Sequence, residues 1–172
     1  MNQTSKRYGD LCRRRQNFLQ RAWDASELTI PFILPRHGTQ DQELPTPYQS
    51  IGARGVNNLS AKLLLTLFPP NSPFFKFQID DFTLAELEAQ RAPVEEGLNA
   101  MERSVMDEVE AKAMRVPLNE ALRHLIITGN ACLHVDKDNA VRVFHLDQFV
   151  VRRDPQGKML EIIVHEMMSR EL

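Results

Sequence analysis

Residues 46–70, TPYQSIGARGVNNLSAKLLLTLFPP, join a turn, a glycine pair, an apolar helical stripe and a hard stop. Pro47 biases Thr46 toward extended backbone, and Gly52 and Gly55 permit close approach or unusual dihedrals where the segment enters a helix. Val56, Leu59, Leu63, Leu64 and Leu67 then recur at helical spacing, and Pro69 and Pro70 end the run. The stretch builds a backbone and a seam and carries no catalytic side chain, and on this reading Leu63 belongs to the core.

Outward from this helix the pattern changes several times. Downstream, Phe75, Phe77 and Ile79 alternate after Pro73 and predict a short strand. Thr83 and Glu86 have capping-box spacing, with Phe82 and Leu87 as a staple, so a helix is expected to start there. Pro93 breaks or kinks that helix and suits the first turn of a second one, whose narrow stripe is Val94, Leu98, Met101, Val105 and Val109. Pro117 opens the next helix, with Leu118, Leu122, Leu125 and Ile126 inward and Gly129 as its C-terminal cap. The segments 131–135 and 140–144 flank the turn 136–139, and 149–153 and 159–164 flank Asp154-Pro155-Gln156-Gly157, a type I turn pattern. Two successive hairpins predict a small antiparallel meander.

Upstream, Tyr8, Leu11, Cys12, Phe18, Leu19, Ala22 and Trp23 share one helical stripe, with Arg13, Arg14 and Arg21 off it. This is an amphipathic helix with a basic back. Pro31, Pro35, Pro45 and Pro47 forbid its continuation, and Gly38 with its polar neighbours suggests a long connecting loop. The expected class is α+β, several helices followed by the meander. The expected division is 1–30 as an amphipathic helix or arm, 31–49 as a proline-rich connection and 50–172 as the helical and β part.

With 172 residues, 42% hydrophobic and 26% charged, the chain is the size of one domain with an ordinary globular composition. A net charge of −2 excludes a uniformly basic nucleic-acid binder but permits local patches. Residues 1–23 hold six bases against Asp10, a balance of +5, and residues 80–112 hold ten carboxylates against three bases, a balance of −7. No apolar run approaches the ~20 residues needed to span a bilayer, and the polar start MNQTSKRYGD lacks a signal-peptide core, so the chain is expected to be soluble and intracellular at synthesis, with no membrane partner. Cys12 and Cys132 suggest neither a disulfide framework nor a zinc site.

The wording of residues 46–70 resembles the signature region of the head-to-tail connector, or portal, proteins of short-tailed bacteriophages. The residues that carry the resemblance are Thr46-Pro47-Tyr48-Gln49, Gly52-Ala53-Arg54-Gly55, Asn57-Asn58-Leu59 and Leu67-Phe68-Pro69. It continues through Val94 to Leu98, Met101 to Arg103, Arg115-Val116, Glu120 to Leu122, Gly129-Asn130 and Phe149 to Asp154. The resemblance implies a non-enzymatic virion protein without cofactor or metal, part of the wing region of a ring that usually has twelve subunits. Such a ring sits at one capsid vertex, passes double-stranded DNA during packaging and ejection, docks the tail and binds DNA without sequence preference. Capsid, scaffolding and tail proteins and the terminase motor are the implied partners, in the virion and in the host cytoplasm during assembly. Family members are much longer, so a fragment is expected, with the channel-lining stem and the clip beyond residue 172.

The residues themselves also offer other chemistries. Gly52-Ala53-Arg54-Gly55 matches the GxxG loop with which KH-type modules clamp a sugar-phosphate chain, and with the basic first helix it gives the alternative of a small nucleic-acid-binding module. No phosphate loop or dinucleotide fingerprint is present. His134, His145 and His165 are placed to share one sheet near Asp136 or Glu161, but their spacing fits no zinc or iron pattern. Asp80 and Asp81 are of the type that holds magnesium, and a turn and helix-start role accounts for them more simply. Arg54, between two glycines, is the residue best suited to bridge elements through its guanidinium.

Overall fold

Arg15 divides the first amphipathic stripe in two: the helices are α1 (Gln3–Arg14) and α2 (Gln16–Leu28) rather than one rod. The structure is a computed structural model and describes residues 3–36, 44–70, 72–79, 91–137 and 140–166. The expected capping box at Thr83 and Glu86, the loop residues His37 and Gly38, and Asp80 and Asp81 lie outside the described residues. At the break, the Arg15 guanidinium turns inward and donates to the carbonyls of Leu146 (2.5 Å), Asp147 (3.1 Å) and Phe149. Arg7 forks onto the Glu161 carboxylate at 3.1 and 3.0 Å, and the Tyr8 hydroxyl donates to the Asp147 carbonyl at 3.0 Å. Two residues of the basic segment are therefore fasteners between the N-terminal helices and the second hairpin.

Beyond α2 the proline-rich segment begins as core. Pro31–Ile33 form a 3-10 turn, with Ile30, Ile33 and Leu34 buried. Ser26, fully buried, donates to the Ile30 carbonyl at 3.0 Å and accepts the Leu34 amide at 3.2 Å, which ties the end of α2 to the turn. Arg36 then clamps back onto Glu27 and Asp24.

The signature forms α3 (Ile51–Leu67), which packs along α5 (Arg115–Thr128). Ile30, Ile33 and Val56 form one apolar cluster, backed by Ala53, Ile126 and Ile127. A second cluster, Leu19, Ala22, Leu34, Phe144, Leu146 and Phe149, joins α2 to the hairpins. Gly129 ends α5 with φ 72° and donates its amide to the Leu125 carbonyl at 2.9 Å, as its cap role predicts. On α5, Leu122 is buried and Leu118 and Ile126 are half-buried, but Leu125 faces out at 46% exposure, and the buried places beside Leu122 belong to Ala121, His124 and Thr128.

α4 (Arg91–Ala111) carries Pro93 in its first turn, as expected, and among the described residues makes only sparse contacts with other elements. Its apolar stripe is only partly covered: Val94, Leu98 and Val109 are half-buried, while Met101 and Val105 are exposed. The strand predicted at Phe75 to Ile79 is absent, and residues 75–79 have no regular secondary structure. The Phe77 amide bonds to the carboxylate of buried Glu102 at 2.7 Å instead of to a ladder partner. Phe68, Phe74, Phe75 and Phe77 stack edge to face along the segment.

The predicted strands form as β1 (Cys132–Val135) with β2 (Val141–Phe144), and β3 (Phe149–Arg153) with β4 (Met159–Val164), each pair antiparallel. They stay two separate sheets and not a continuous meander. The chain between β2 and β3 is spent on a 3-10 turn, Leu146–Gln148, whose Leu146 enters the core and whose carbonyls bind Arg15. At the second hairpin Gly157, φ 89°, donates to the Asp154 carbonyl at 3.0 Å, closing the expected turn. The class is α+β, with five α-helices and two small sheets among the described residues. No helix of these residues is long and apolar enough to cross a membrane.

Candidate functional site: two faces of the signature helix

The signature residues divide between two sides of α3. On the inner side Gly52 meets the end of α2: a Cβ there would lie 2.8 Å from the Leu28 carbonyl oxygen and 3.1 Å from Thr29 Cγ2. Only a residue without a side chain lets the helices cross so closely. Val56 and Ser60, one and two turns on, continue the inner seam, both buried, with Ser60 Oγ bonded to the Asn57 carbonyl at 3.1 Å. At the far end Phe68 packs against Phe74 at 5.0 Å, and the Pro69 carbonyl accepts the Arg115 guanidinium at 3.0 Å. Leu63 and Leu64 are half-buried, so Leu63 borders the core instead of filling it.

The outer side is left uncovered by the other described residues. Thr46, Gln49, Arg54, Gly55, Asn57 and Asn58 are exposed, and a Cβ on Gly55 would meet nothing within 4 Å. Tyr48 is exposed in full, Ile51 at 74%, Leu59 at 46% and Leu67 at 51%. Pro47 is half-buried. Arg54 bridges no elements among the described residues.

GARG opens a helix and is not a loop between two elements. Its four residues lie within the first turns of α3, and the Arg54 amide is already bonded to the Ser50 carbonyl at 2.9 Å. The Gly52 and Ala53 amides, in the first turn, have no intrahelical acceptor, so of these three amides that of Arg54 alone is withdrawn from clamping a sugar-phosphate chain. In the basic N-terminal segment, Arg7 and Arg15 are used internally and Arg13 pairs with Asp10, which leaves Lys6, Arg14 and Arg21 exposed.

The histidines are dispersed. His134 lies on β1 opposite Arg142, His145 donates from Nδ1 to the Ile33 carbonyl (2.7 Å), and His165 stacks on Tyr8 at 5.5 Å. They do not share a sheet, because the hairpins are separate. Among the described residues no three His, Cys, Asp or Glu side chains come together as metal ligands. His145 instead meets His124 edge to face at 4.9 Å. His124 is 2% exposed, and burial first, with the His145 ring adding to it, holds its pKa down to about 4. Arg15, Ser60, Glu102 and His124 were not singled out in the sequence as structural groups, since each is a polar residue placed where an apolar pattern predicts none.

The full chain, residues 1–172, matches the model of the bacteriophage head to tail connecting protein family. It is 34% identical over 170 residues to the portal protein of Enterobacteria phage T3, covering 94% of this chain and 32% of the relative. With the portal protein of Escherichia phage T7 it is 32% identical over 164 residues, 90% of this chain and 30% of the relative. With that of Pseudomonas phage phiKMV the identity is 32% over 153 residues, 86% and 30% of the two chains. The chain thus spans about a third of the length of these relatives. Together with the signature helix and the α+β architecture, this places the chain in the bacteriophage head to tail connecting protein family.

Proposed function

We propose that this chain is part of the subunit of a portal ring, where it supplies rigid packing surface in place of reactive groups. The observation that supports this best is the outer side of α3, where Tyr48, Ile51 and Leu59 stay exposed beside Arg54, Asn58 and the open face of Gly55. Such a strip, lying outside the monomer's own core, suits a contact with a neighbouring subunit in a cyclic, head-to-tail interface. The sparsely packed α4, with Met101 and Val105 exposed, offers a second such surface.

In this reading the ring, of about twelve copies by the resemblance, stands at one capsid vertex and is assembled in the host cytoplasm. It forms the channel for packaging and ejection of double-stranded DNA, with weak DNA affinity independent of sequence. Residues 50–172 belong to the wing region, with 1–30 and 31–49 as its N-terminal helices and connection. Contacts with tail proteins and terminase fall to other parts of the subunit. The test is Tyr48→Ala combined with Leu59→Asp in a subunit of the relatives' length. Stability should change by no more than about 0.5 kcal/mol while ring assembly fails. Normal rings from the double variant would show that this face is not an interface.

A further inference from the structure

The second hairpin is closed on one edge and open on the other. Along an antiparallel pair, residues that exchange main-chain hydrogen bonds alternate with residues whose main-chain groups point away from the partner strand. The His165 amide donates to the Gln148 carbonyl at 2.7 Å, and Val150 is paired with Ile163 and Arg152 with Glu161. This register turns the main-chain groups of Glu161 and Ile163 toward β3 and those of Ile162 and Val164 away from it. On the far side of β3, the outward carbonyl of Phe149 accepts the Arg15 guanidinium, and α1 lies alongside. Beyond β4 no described element supplies a partner for the amides and carbonyls of Ile162 and Val164.

Burial falls off in the same direction. Phe149 is 4% exposed and its cross-strand partner Val164 40%, while Val151 is half-buried and its partner Ile162 is 42% exposed. With Met159 and Leu160 also exposed, four of the six residues of β4 are large apolar side chains left in solvent. The strand carries no proline or outward lysine, the usual guards of a free edge. Its one charged residue, Glu161, is held by Arg7 of α1 at 3.0 Å. The one irregularity, Leu160 without a partner opposite Arg152 and Arg153, lies at the turn end and leaves Ile162 and Val164 in regular pairing. A two-stranded hairpin is marginal by itself, and an apolar edge of this kind is a template for a further strand.

Chain order narrows the occupant. This chain spans about a third of the length of its relatives, so in a subunit of that length most of the polypeptide lies outside residues 1–172. β4 is the last of the described strands, and strands most often pair with their neighbour in sequence through a short turn. We propose that the edge of β4 at Ile162 and Val164 is completed by an antiparallel strand of the same subunit that follows residue 172. That strand is apolar at alternate positions, covers Leu160, Ile162 and Val164, and extends the hairpin into a sheet of at least three strands. The inference rests on the reading of this chain as part of a longer portal subunit and needs no ring.

Amide hydrogen exchange tests this on a subunit of the relatives' length, read at Ile162 and Val164 in the dilute monomer and in assembled rings, with the intact 172-residue chain beside it. The two amides are expected to exchange at least about tenfold more slowly in the longer monomer than in the 172-residue chain, while Ile163, whose amide faces β3, is protected in both. Protection that arises only in rings would assign the edge to a neighbouring copy, and equally fast exchange in all three samples would leave it to water. Either result overturns the proposal, as does full protection already present in the 172-residue chain. Rings in which Ile162 and Val164 stay unprotected would sink this inference alone, whereas protection in a subunit that never forms rings would sink the ring alone.

Discussion

Replacing Arg15 by alanine removes the fastener between the α1–α2 break and the turn that starts β3. The guanidinium donates to three main-chain carbonyls, those of Leu146, Asp147 and Phe149. These acceptors belong to a turn whose Leu146 and Phe149 side chains are buried, at 3% and 4% exposure. At about 1 kcal/mol net per hydrogen bond, the loss comes to about 3 kcal/mol, before any packing of the Arg15 stem. In a chain of this size that corresponds to a drop in melting temperature of about 6–12 °C. Lysine should recover only part of the loss, because one ammonium cannot reproduce a fork that reaches three oxygens. The assay is urea or thermal unfolding of Arg15→Ala, Arg15→Lys and Arg14→Ala, the last an exposed neighbour on the same helix end. Arg14→Ala should stay within about 0.5 kcal/mol of the parent. Equal stability of Arg14→Ala and Arg15→Ala would refute the fastener.

Other expectations concern the signature helix and the buried histidine. Gly52→Ala should destabilise by about 1–2 kcal/mol, as the clash with the Leu28 carbonyl outweighs the gain in helix propensity, whereas Gly55→Ala should stabilise the isolated chain by about 1 kcal/mol. Paired melting curves test this, and a loss at Gly55 matching that at Gly52 would contradict it. Val56→Ala should cost about 2 kcal/mol from its buried place, and Leu63→Ala, only half-buried, about 1 kcal/mol; the reverse order would move the core to the other side of α3. His124 is kept neutral in the fold, with its pKa lowered from 6.5 to about 4, so the unfolded chain binds the extra proton first as pH falls. Its contribution is complete above pH 6.5 and is lost between about 6.5 and 4, by up to ~3 kcal/mol. In His124→Phe, if folded, the dependence of stability on pH in that window should flatten, and an unchanged slope would exclude His124 as its source.

Much of the fold was legible because apolar spacing and turn chemistry are local. The α3 stripe and its proline stop, Pro93 in a first turn, the Gly129 cap and the Asp154–Gly157 turn were each written in a handful of adjacent residues. The failures came where a partner distant in sequence decided the outcome. Phe75 to Ile79 alternate like a strand, but the Phe77 amide is taken by Glu102, twenty-five residues on. Leu125 fits the α5 stripe yet faces solvent, because the inward side carries His124. The first amphipathic stripe read as one helix because Arg15 resembles its basic neighbours, and only the β3 turn, over a hundred residues away, gives it another role. At the signature, the reading of Gly52 as a close-approach residue followed from backbone freedom, whereas its partner, the end of α2, did not. The exposure of Tyr48, Ile51 and Leu59 on the outer side of α3 was not legible, since helical spacing does not say which side of a helix its neighbours cover.

As part of a portal subunit, this segment belongs in a closed ring. The direct test is mass measurement with negative-stain imaging of the subunit at the length of its relatives, purified at micromolar concentration. Closed cyclic particles of a single stoichiometry are the predicted result. A persistent monomer, or open filaments without closure, would contradict it.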